Sequence, residues 1–348
     1  MHHASRRAVR AALLAGAAGA LTLPIVALAA TANVQAGGGV QAIQADMDAY
    51  YPNRITIHAG DSVKWALKGF HTVTFAPTGK AAPPLVLPAG PAPSTNDPGG
   101  APYWWAGQTQ LAFNPAALAP TRSTVVTGRT LVNSGAPGGR NPTFTATFPK
   151  PGTYTYVCAV HANMRGVVRV LPRTAHAPGL AAQVATGRRQ LAADAAASKA
   201  AAAAPSLALN TVLVGKGTVR FSILKMLPDT ITVKAGTTVD FQWGGREEAH
   251  TVTFGPEPYL DALAKQFEQA QGVLPPEVTF PSDPPTGGPA VLTSTTHGTG
   301  VVNSGLLFDP TAGPGAHAFQ VRFDVPGTYH YMCMVHGKMM SGTVVVTA

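Results

Sequence analysis

Two short stretches decide the organisation of this chain: YVCAVHANMRGVVRV, from Tyr156 to Val170, and YMCMVHGKMMSGTVVV, from Tyr331 to Val346. Each contains one of the two cysteines of the chain, a histidine three residues later and a methionine three residues after that. From Pro151 to Met164 and from Pro326 to Met339 the offset is a constant 175 residues. Self-similarity at a fixed spacing indicates that one structural unit has been duplicated.

Other motifs recur in the same order in the two halves. HTVTF occupies 71–75 and 250–254, VNSG occupies 132–135 and 302–305, and PGTY occupies 151–154 and 326–329. The chain is therefore interpreted as a tandem duplication of one domain. We expect the copies at residues 33–172 and 206–348, with a linker at residues 173–205 between them.

Within each copy the sequence favours β-strands. RITIHAGDSVKW at 54–65 and TITVKAGTTVDFQW at 230–243 alternate apolar and polar residues on both sides of an Ala-Gly turn, which is typical of half-buried strands. Glycine and proline are frequent, with 37 and 31 residues, and they supply the turns. Short antiparallel strands with turns at this spacing predict an all-β chain of two tandem Greek-key sandwiches.

The linker and two long insertions are the exceptions to this strand pattern. The linker is rich in alanine, which has the highest helix propensity, and it predicts a helix from about residue 180 to 203, with a flexible tether as the alternative. An insertion follows each HTVTF motif, at 76–123 and 255–295, and the second includes YLDALAKQFEQAQG, which predicts a short helix. We expect such long insertions to cover a face of the sandwich or to form a partner surface.

Residues 1–32 resemble a secretion signal. SRRAVR supplies a positive start, AALLAGAAGALTLPIVALAA supplies an apolar segment, and we expect cleavage after Ala29 or Ala32. A membrane anchor is the alternative, because the apolar segment approaches the length that spans a bilayer. The small residues and Pro24 favour cleavage. The expected mature protein is extracytoplasmic, meaning secreted, periplasmic or on the cell surface, and does not span a membrane.

The distribution of charge argues against nucleic acid as a partner. The formal net charge is +9, but the basic residues are scattered along the chain, whereas a nucleic-acid binder clusters them beside a reading element. The first copy holds ten Lys and Arg against four Asp and Glu, and the second holds eight against eleven. Opposite signs can steer partners, or the two copies, towards each other.

The two cysteines have two interpretations. In an exported protein a pair of cysteines most often forms a disulfide. Here, however, Cys158 and Cys333 occupy the same place in the repeat, and neither copy has a second cysteine for an internal bridge. A thiol kept unpaired in an oxidising compartment needs a reason, and metal ligation provides one.

The spacing around each cysteine favours copper. A Cys-x-x-His-x-x-Met loop between two strands can direct a thiolate, an imidazole and a thioether to one point, and two histidines, one cysteine and a weak axial methionine suit electron-transfer copper. The second histidine is expected from HTVTF, the only other place where a histidine recurs in both copies. The repeat offset favours Met339 over the adjacent Met340. The predicted ligands of two copper ions, one per domain, are His71, Cys158, His161 and Met164, and His250, Cys333, His336 and Met339.

This arrangement resembles the cupredoxins, the small blue copper proteins. An upstream histidine, a PGTY turn and a Cys-x-x-His-x-x-Met loop near the end of the domain are the pattern of that family, with the short Cys-to-Met spacing of its amicyanin-like members rather than that of plastocyanin. The resemblance implies a Greek-key sandwich with copper near one end. It also implies one-electron transfer with redox partner proteins, through the ring edge of His161 or His336.

The sequence departs from the family pattern beside the first histidine. Many relatives have an asparagine there that ties down the cysteine loop, whereas this chain has Thr72 and Thr251. The repeated Asn-Ser pairs at 133–134 and 303–304 are candidates for the missing support, with a plain turn as the alternative.

Four protein ligands leave no open position for a substrate, so we expect electron transfer and no enzymatic activity. The alternatives are a copper nitrite reductase, a multicopper oxidase, or a copper storage or delivery protein. Both enzymes need further histidine sites, yet Ala159 and Met334 follow the cysteines and no His-x-His pair occurs after the signal. Storage or delivery would favour methionine-rich tracts, and none occurs outside the two loops.

Overall fold

The computed structural model describes residues 29–138, 142–203, 207–284, 288–293, 300–308 and 316–348. It confirms the predicted fold class: the chain is mostly β, with two tandem sandwiches and a helix between them. The predicted signal at residues 1–32 lies outside the described residues except for its last four.

The first copy is built from two facing sheets. One has the strand order β11-β6-β1-β4 and the other β10-β7-β12-β13-β5, while β8 and β9 form a separate hairpin. The strands are β1 (Thr31–Gly37), β2 (Gly39–Val40), β3 (Ala45–Met47), β4 (Tyr50–Tyr51), β5 (Arg54–His58), β6 (Ser62–Lys68), β7 (Thr74–Phe75), β8 (Val86–Pro91), β9 (Thr109–Phe113), β10 (Val132–Asn133), β11 (Thr143–Thr147), β12 (Gly152–Val157) and β13 (Arg165–Leu171), with the short helix α1 at Pro115–Leu118.

The second copy repeats this architecture. Its sheets have the orders β19-β21-β17-β14-β15 and β16-β23-β22-β18-β20. The strands are β14 (Thr211–Thr218), β15 (Phe221–Leu227), β16 (Thr230–Lys234), β17 (Thr237–Trp243), β18 (Thr253–Phe254), β19 (Ala290–Leu292), β20 (Val302–Asn303), β21 (Ala318–Phe323), β22 (Gly327–Cys333) and β23 (Gly337–Thr347), and the helices are α3 (Glu257–Glu268) and α4 (Pro276–Thr279).

An aromatic cluster fills each sandwich. In the first copy Trp65 is fully buried between the sheets, with its ring centroid 5.3 Å from that of Tyr156 and 5.8 Å from that of Phe75. In the second copy Phe241 takes the place of the tryptophan and lies 5.2 Å from Tyr331. These side chains point inwards because they alternate with exposed residues along their strands. Each contributes about 1.5–3 kcal/mol through burial.

The linker forms helix α2, Leu180–Ala201, as one of its two interpretations predicts. This helix packs on the first copy and does not act as a flexible tether. Gln183 exchanges hydrogen bonds with the backbone of Thr56, at 2.6 and 2.9 Å. Tyr51 donates from its hydroxyl to Asp194 over 2.7 Å.

The two copies share one sheet. Strands β2 and β3 continue the sheet of the second copy, because Phe221 of β15 pairs with Met47 of β3. Residues 39–47 are therefore structurally part of the second sandwich, although the sequence assigns them to the first. A small apolar cluster that includes Ala45, Tyr51 and Ile223 fills the seam.

The long insertions also join the copies. Trp105 is fully buried and stacks on Phe280 of the second insertion, with centroids 6.1 Å apart. Trp104 donates from its indole to the carbonyl of Pro281 over 2.9 Å. The predicted short helix is α3, and its Phe267 packs edge-on against the first insertion. None of the described helices has the length and apolar character needed to cross a membrane.

Candidate metal centre

The first copy brings its predicted nitrogen and sulfur ligands together at one end of the sandwich. His71 precedes β7, whereas Cys158 follows β12 and His161 lies in the turn before β13. The Nδ1 atoms of the two histidines are 3.0 Å apart, and Cys158 Sγ lies 3.5 Å from His161 Nδ1. All three residues are at most 2% exposed. One buried point is therefore surrounded by two imidazole nitrogens and one sulfur.

The second copy repeats this geometry from its own sequence. His250 Nδ1 lies 3.2 Å from His336 Nδ1, and Cys333 Sγ lies 3.5 and 4.0 Å from the Nδ1 atoms of His336 and His250. In both clusters one donor atom from each residue lies within 4.8 Å of the others. Both cysteines are free and buried, so the disulfide interpretation is not realised.

The methionines differ between the copies. Met164 is 1% exposed and belongs to the same core cluster as Cys158. Met339, the predicted counterpart, is 49% exposed, whereas Met340 is fully buried in the core cluster that contains Cys333. The structure thus buries Met340, not Met339, in the core cluster that contains the second cysteine.

One extra residue in the second loop explains this difference. Gly166 pairs with Tyr156 in the first copy, and Gly342 pairs with Tyr331 in the second. Each glycine lies under the tyrosine ring, where a Cβ would meet ring atoms at 2.2 or 2.4 Å. Tyrosine to glycine spans ten residues in the first copy and eleven in the second, so the offset changes from 175 to 176 inside the loop. The buried position therefore falls on Met340.

The threonine after each first histidine supports the cysteine loop. Thr72 directs its backbone N–H at Cys158 Sγ, at 3.3 Å, and its hydroxyl accepts a hydrogen bond from the N–H of Ala159 at 2.8 Å. Thr251 makes the same two contacts, with its N–H 3.4 Å from Cys333 Sγ. Threonine thus ties down the loop, the role that the family resemblance gave to asparagine.

The repeated Asn-Ser pairs support that threonine from behind. Thr72 and Thr74 share a hydrogen bond between their hydroxyls, and Thr74 donates to Asn133 Oδ1 at 2.9 Å. Ser134 Oγ accepts the N–H of the residue between the two threonines at 2.8 Å. The pair at 303–304 repeats both contacts. These residues therefore hold the segment that follows the first histidine of each cluster, and they are more than a turn.

Sequence reasoning missed two glycines that lie against the histidine rings. Gly37 has a φ of +76° and Gly215 a φ of +70°. A Cβ at either position would lie 2.3 Å from the Nε2 of His71 or of His250. Only glycine combines this backbone conformation with this close approach. QAGGG and LVGKG contain many glycines, so no single one stands out in the sequence.

The charge distribution in both clusters favours the thiolate form of the cysteine, which attracts a cation. Burial alone would raise the pKa of Cys158, but hydrogen bonds and charge from His161 and His71 hold it well below its usual range. Cys333 has a lowered pKa for the same reasons. A thiolate is the form of cysteine that binds metal. Two imidazoles, a thiolate and a buried thioether are a donor set that fits copper.

The outer imidazole edges of both sites meet one carboxylate of the second copy, that of Glu248. His161 Nε2 lies 2.8 Å from Glu248 Oε1, and His336 Nε2 lies 3.6 Å from Glu248 Oε2. The side chain of His161 is 2% exposed and that of His336 is 12% exposed. The ring edge of His161, one of the two edges expected to face a partner, is covered. Sequence reasoning missed Glu248, because nothing in the repeat indicates that the copies touch there.

The family match to known proteins falls on the second copy. Residues 211–347 match the family of copper-binding proteins described as plastocyanin/azurin. Solved structures similar to the chain include a mutant of amicyanin in the Cu(I) form, at 16% identity, covering 40% of this chain and 82% of that one with a TM-score of 0.23. A mutant plastocyanin of fern is 24% identical, with 40% and 100% coverage and a TM-score of 0.21. No curated protein matches the chain.

Proposed function

We propose that the protein is a two-copper electron-transfer protein with one type 1 (blue) site in each copy. The observation that carries this proposal is the recurrence, in two buried clusters, of the same three donors in the same geometry. Chance packing of histidines does not repeat with both Nδ1 atoms turned towards one thiol. The family match across residues 211–347 supports the same function.

The proposed ligands of the first copper are His71, Cys158, His161 and Met164. Those of the second are His250, Cys333, His336 and Met340. Met340 replaces Met339 in this proposal because its side chain is buried in the core cluster that contains Cys333, whereas that of Met339 is half-exposed.

Bound copper would supply reversible one-electron chemistry. The chain fixes the donor positions before the metal arrives, through the threonine contacts and the glycine packing described above. Burial of the histidines excludes water, and four donors leave no position for a substrate. A site that is rigid and closed favours electron transfer over catalysis or metal release, so we expect no enzymatic turnover.

Export is proposed with cleavage after Ala29 rather than Ala32. Thr31 and Ala32 belong to β1 and pair with β6, and Ala32 is 1% exposed. The N–H of Ala30 donates to Asp61 over 3.0 Å. Cleavage after Ala32 would remove part of this strand, so mass spectrometry of the exported protein should find Ala30 as the first residue. The mature protein would then work outside the cytoplasm with one-electron redox proteins as partners.

The function is tested by loading the full mature chain with Cu(II). We expect intense blue absorption, two coppers per chain and reversible one-electron reduction at an electrode. Turnover of nitrite or of phenols would favour the enzymatic alternatives. Tight Cu(I) binding without reversible oxidation would favour storage or delivery, and a failure to bind copper would contradict the proposal.

A further inference from the structure

One carboxylate lies between the two candidate sites. Glu248 Oε1 faces the outer nitrogen of His161 at 2.8 Å, and Glu248 Oε2 faces that of His336 at 3.6 Å. Each histidine directs its other nitrogen, Nδ1, at its own cysteine. The side chain of Glu248 is only 16% exposed. The two candidate sites therefore face each other, and Glu248 reaches the outer nitrogens of both histidines.

The structure holds Glu248 in this position by contacts on both sides. Its own carbonyl accepts a hydrogen bond from the indole of Trp243 at 2.9 Å. The neighbouring Glu247 accepts two hydrogen bonds from Asn163, at 2.7 and 3.1 Å, and Asn163 lies in the ligand loop of the first copy. The shared sheet and the packed insertions fix the copies relative to each other. These contacts fix the position of Glu248, which is therefore not a mobile surface carboxylate.

The carboxylate also completes the first site. A histidine that binds metal through one nitrogen commonly donates its other N–H to a carboxylate, which orients the ring. The second copy supplies that carboxylate to His161. Hydrogen bonds to an ionised acceptor are stronger than neutral ones. The corresponding position in the first copy, two residues before His71, is Gly69, so that position supplies no carboxylate to the second site.

We infer that Glu248 couples the two copper sites, so that an electron passes within the chain from one to the other through His161, Glu248 and His336. This inference rests on the proposed function. Between the two rings the route crosses only two non-covalent contacts, and electron tunnelling decays more slowly along bonds than across gaps. The reduced site loses one electron and the oxidised site gains it. No bond forms or breaks, and the Nε2 protons stay in place.

The outer edges of the two histidine rings differ in their exposure to solvent. The covered edge of His161 is not available to an outside protein, whereas the edge of His336 remains partly exposed. The first site therefore exchanges electrons with partners by way of the second. One-electron donor and acceptor proteins supply and remove the electron, and no other reactant is needed.

The test compares the copper-loaded full chain with three variants: Glu248→Ala, the isosteric Glu248→Gln, and Glu268→Ala as the control, which removes an exposed carboxylate of α3. A short reducing pulse supplies less than one electron per chain, and the redistribution of that electron is followed at the signals of each site. We expect Glu248→Ala to slow redistribution by about tenfold or more. Glu248→Gln keeps the size of the side chain but turns an N–H towards one ring, so it should give a smaller slowing. Glu268→Ala should leave the rate near that of the wild type.

Two measurements independent of electron flow accompany the rates. Pulsed EPR of the fully oxidised protein should show dipolar coupling between the two Cu(II) ions in the wild type and in every variant, because the shared sheet holds the interface. NMR of the Cu(I) protein should show a His161 Nε2–H that is protected from exchange in the wild type and in Glu268→Ala, but not in Glu248→Ala.

The outcomes separate this inference from the proposed function. An unchanged redistribution rate in Glu248→Ala, with two coppers bound, would overturn the inference alone. The wild type could also bind a third metal ion that Glu248→Gln loses. This result would show that the carboxylate is a metal ligand, and it would overturn the inference as well. A wild-type chain without two blue coppers would overturn the proposed function and the inference together, and the copper content shows this before any rate is measured.

Discussion

The first and second sites are alike inside and different outside. Their nitrogen and sulfur donors, the threonine that ties down the loop and the glycine under the first histidine correspond one to one. Beyond these residues the two sites differ. The outer nitrogen of His161 is covered by a carboxylate of the other copy, whereas the ring edge of His336 stays partly exposed. The second loop also has one residue more than the first.

This comparison shows where the two copies have diverged. Residues that hold the donors are identical in type, but residues at the boundary between the copies are not. Glu248 stands where the first copy has Gly69, and Asp48 stands where the second has Leu224 when the prolines at 52 and 228 are aligned. We infer that the metal chemistry is kept in duplicate while the boundary has become asymmetric, with an inner first site and an outer second site.

The largest effect is expected from Gly37 and Gly215, the glycines that lie against the first histidine of each site. In Gly37→Ala a Cβ would meet the His71 ring, and in Gly215→Ala it would meet that of His250. Each variant should lose the copper of its own copy and keep the other, as measured by metal analysis and visible absorption.

The controls for this prediction are Gly79→Ala and Gly236→Ala, one in each copy. Both glycines have a positive φ but no atom within 4 Å of a Cβ. They should show only the backbone strain of about 1–3 kcal/mol and retain both coppers. Full copper retention in Gly37→Ala and Gly215→Ala would contradict the role given to these glycines.

A second effect separates the two adjacent methionines. Met340→Ala should lower the unfolding free energy of the metal-free protein by about 2–5 kcal/mol, as for other buried methionines. Met339→Ala should change it by less than about 0.5 kcal/mol, because the side chain is half-exposed. In the copper-loaded protein only Met340→Ala should alter the spectrum and reduction potential of the second site.

Met164→Ala serves as the reference for the first site and should behave like Met340→Ala. If Met339→Ala disturbed the second site and Met340→Ala did not, the repeat offset of 175 would describe the loop better than the structure does. Urea unfolding and voltammetry measure the two effects separately.

A smaller, pH-dependent effect is expected at the boundary itself. Burial raises the pKa of Asp48 to about 7, and one of its oxygens has no hydrogen-bond partner. Because the folded state prefers the protonated carboxyl, stability should fall as pH rises from about 4 to about 7 and stay low above that. Asp48→Asn should remove this dependence and stabilise the metal-free protein at pH 8 by up to a few kcal/mol, about 1.4 kcal/mol for each pKa unit.

Ser222→Ala is the control, since Ser222 donates to the other oxygen of Asp48 over 2.7 Å. The loss of that hydrogen bond should leave the pH dependence in place. Urea unfolding between pH 4 and pH 8 measures both variants, and a flat profile in the wild type would show that Asp48 is not the buried acid described here.

The sequence predicted those features that are local or repeated. Alternation identified the strands around Trp65 and Phe241, alanine content identified α2, and the repeat identified two histidines and one cysteine in each half. The strand and helix predictions are confirmed, because strand period and helix propensity are visible along the chain. The structure also brings the repeated histidines and cysteines together, and their role as metal ligands stays a prediction.

The features that the sequence did not predict depend on contact between distant segments. Glu248 reaches His161 across the boundary of the copies, and residues 39–47 join the sheet of the other copy, which no repeat can show. The burial of Met340 was not predicted for a different reason. The constant offset of 175 favoured Met339, and the extra residue in the second loop becomes apparent only when Gly342 is seen to pair with Tyr331.

The most direct test of the central claim is the copper content of Cys158→Ser, Cys333→Ser and the double variant, measured together with the blue absorption. We expect two coppers per chain in the wild type, one in each single variant and none in the double variant. Loss of both coppers in a single variant that remains folded, or retention of both, would contradict two separate thiolate sites.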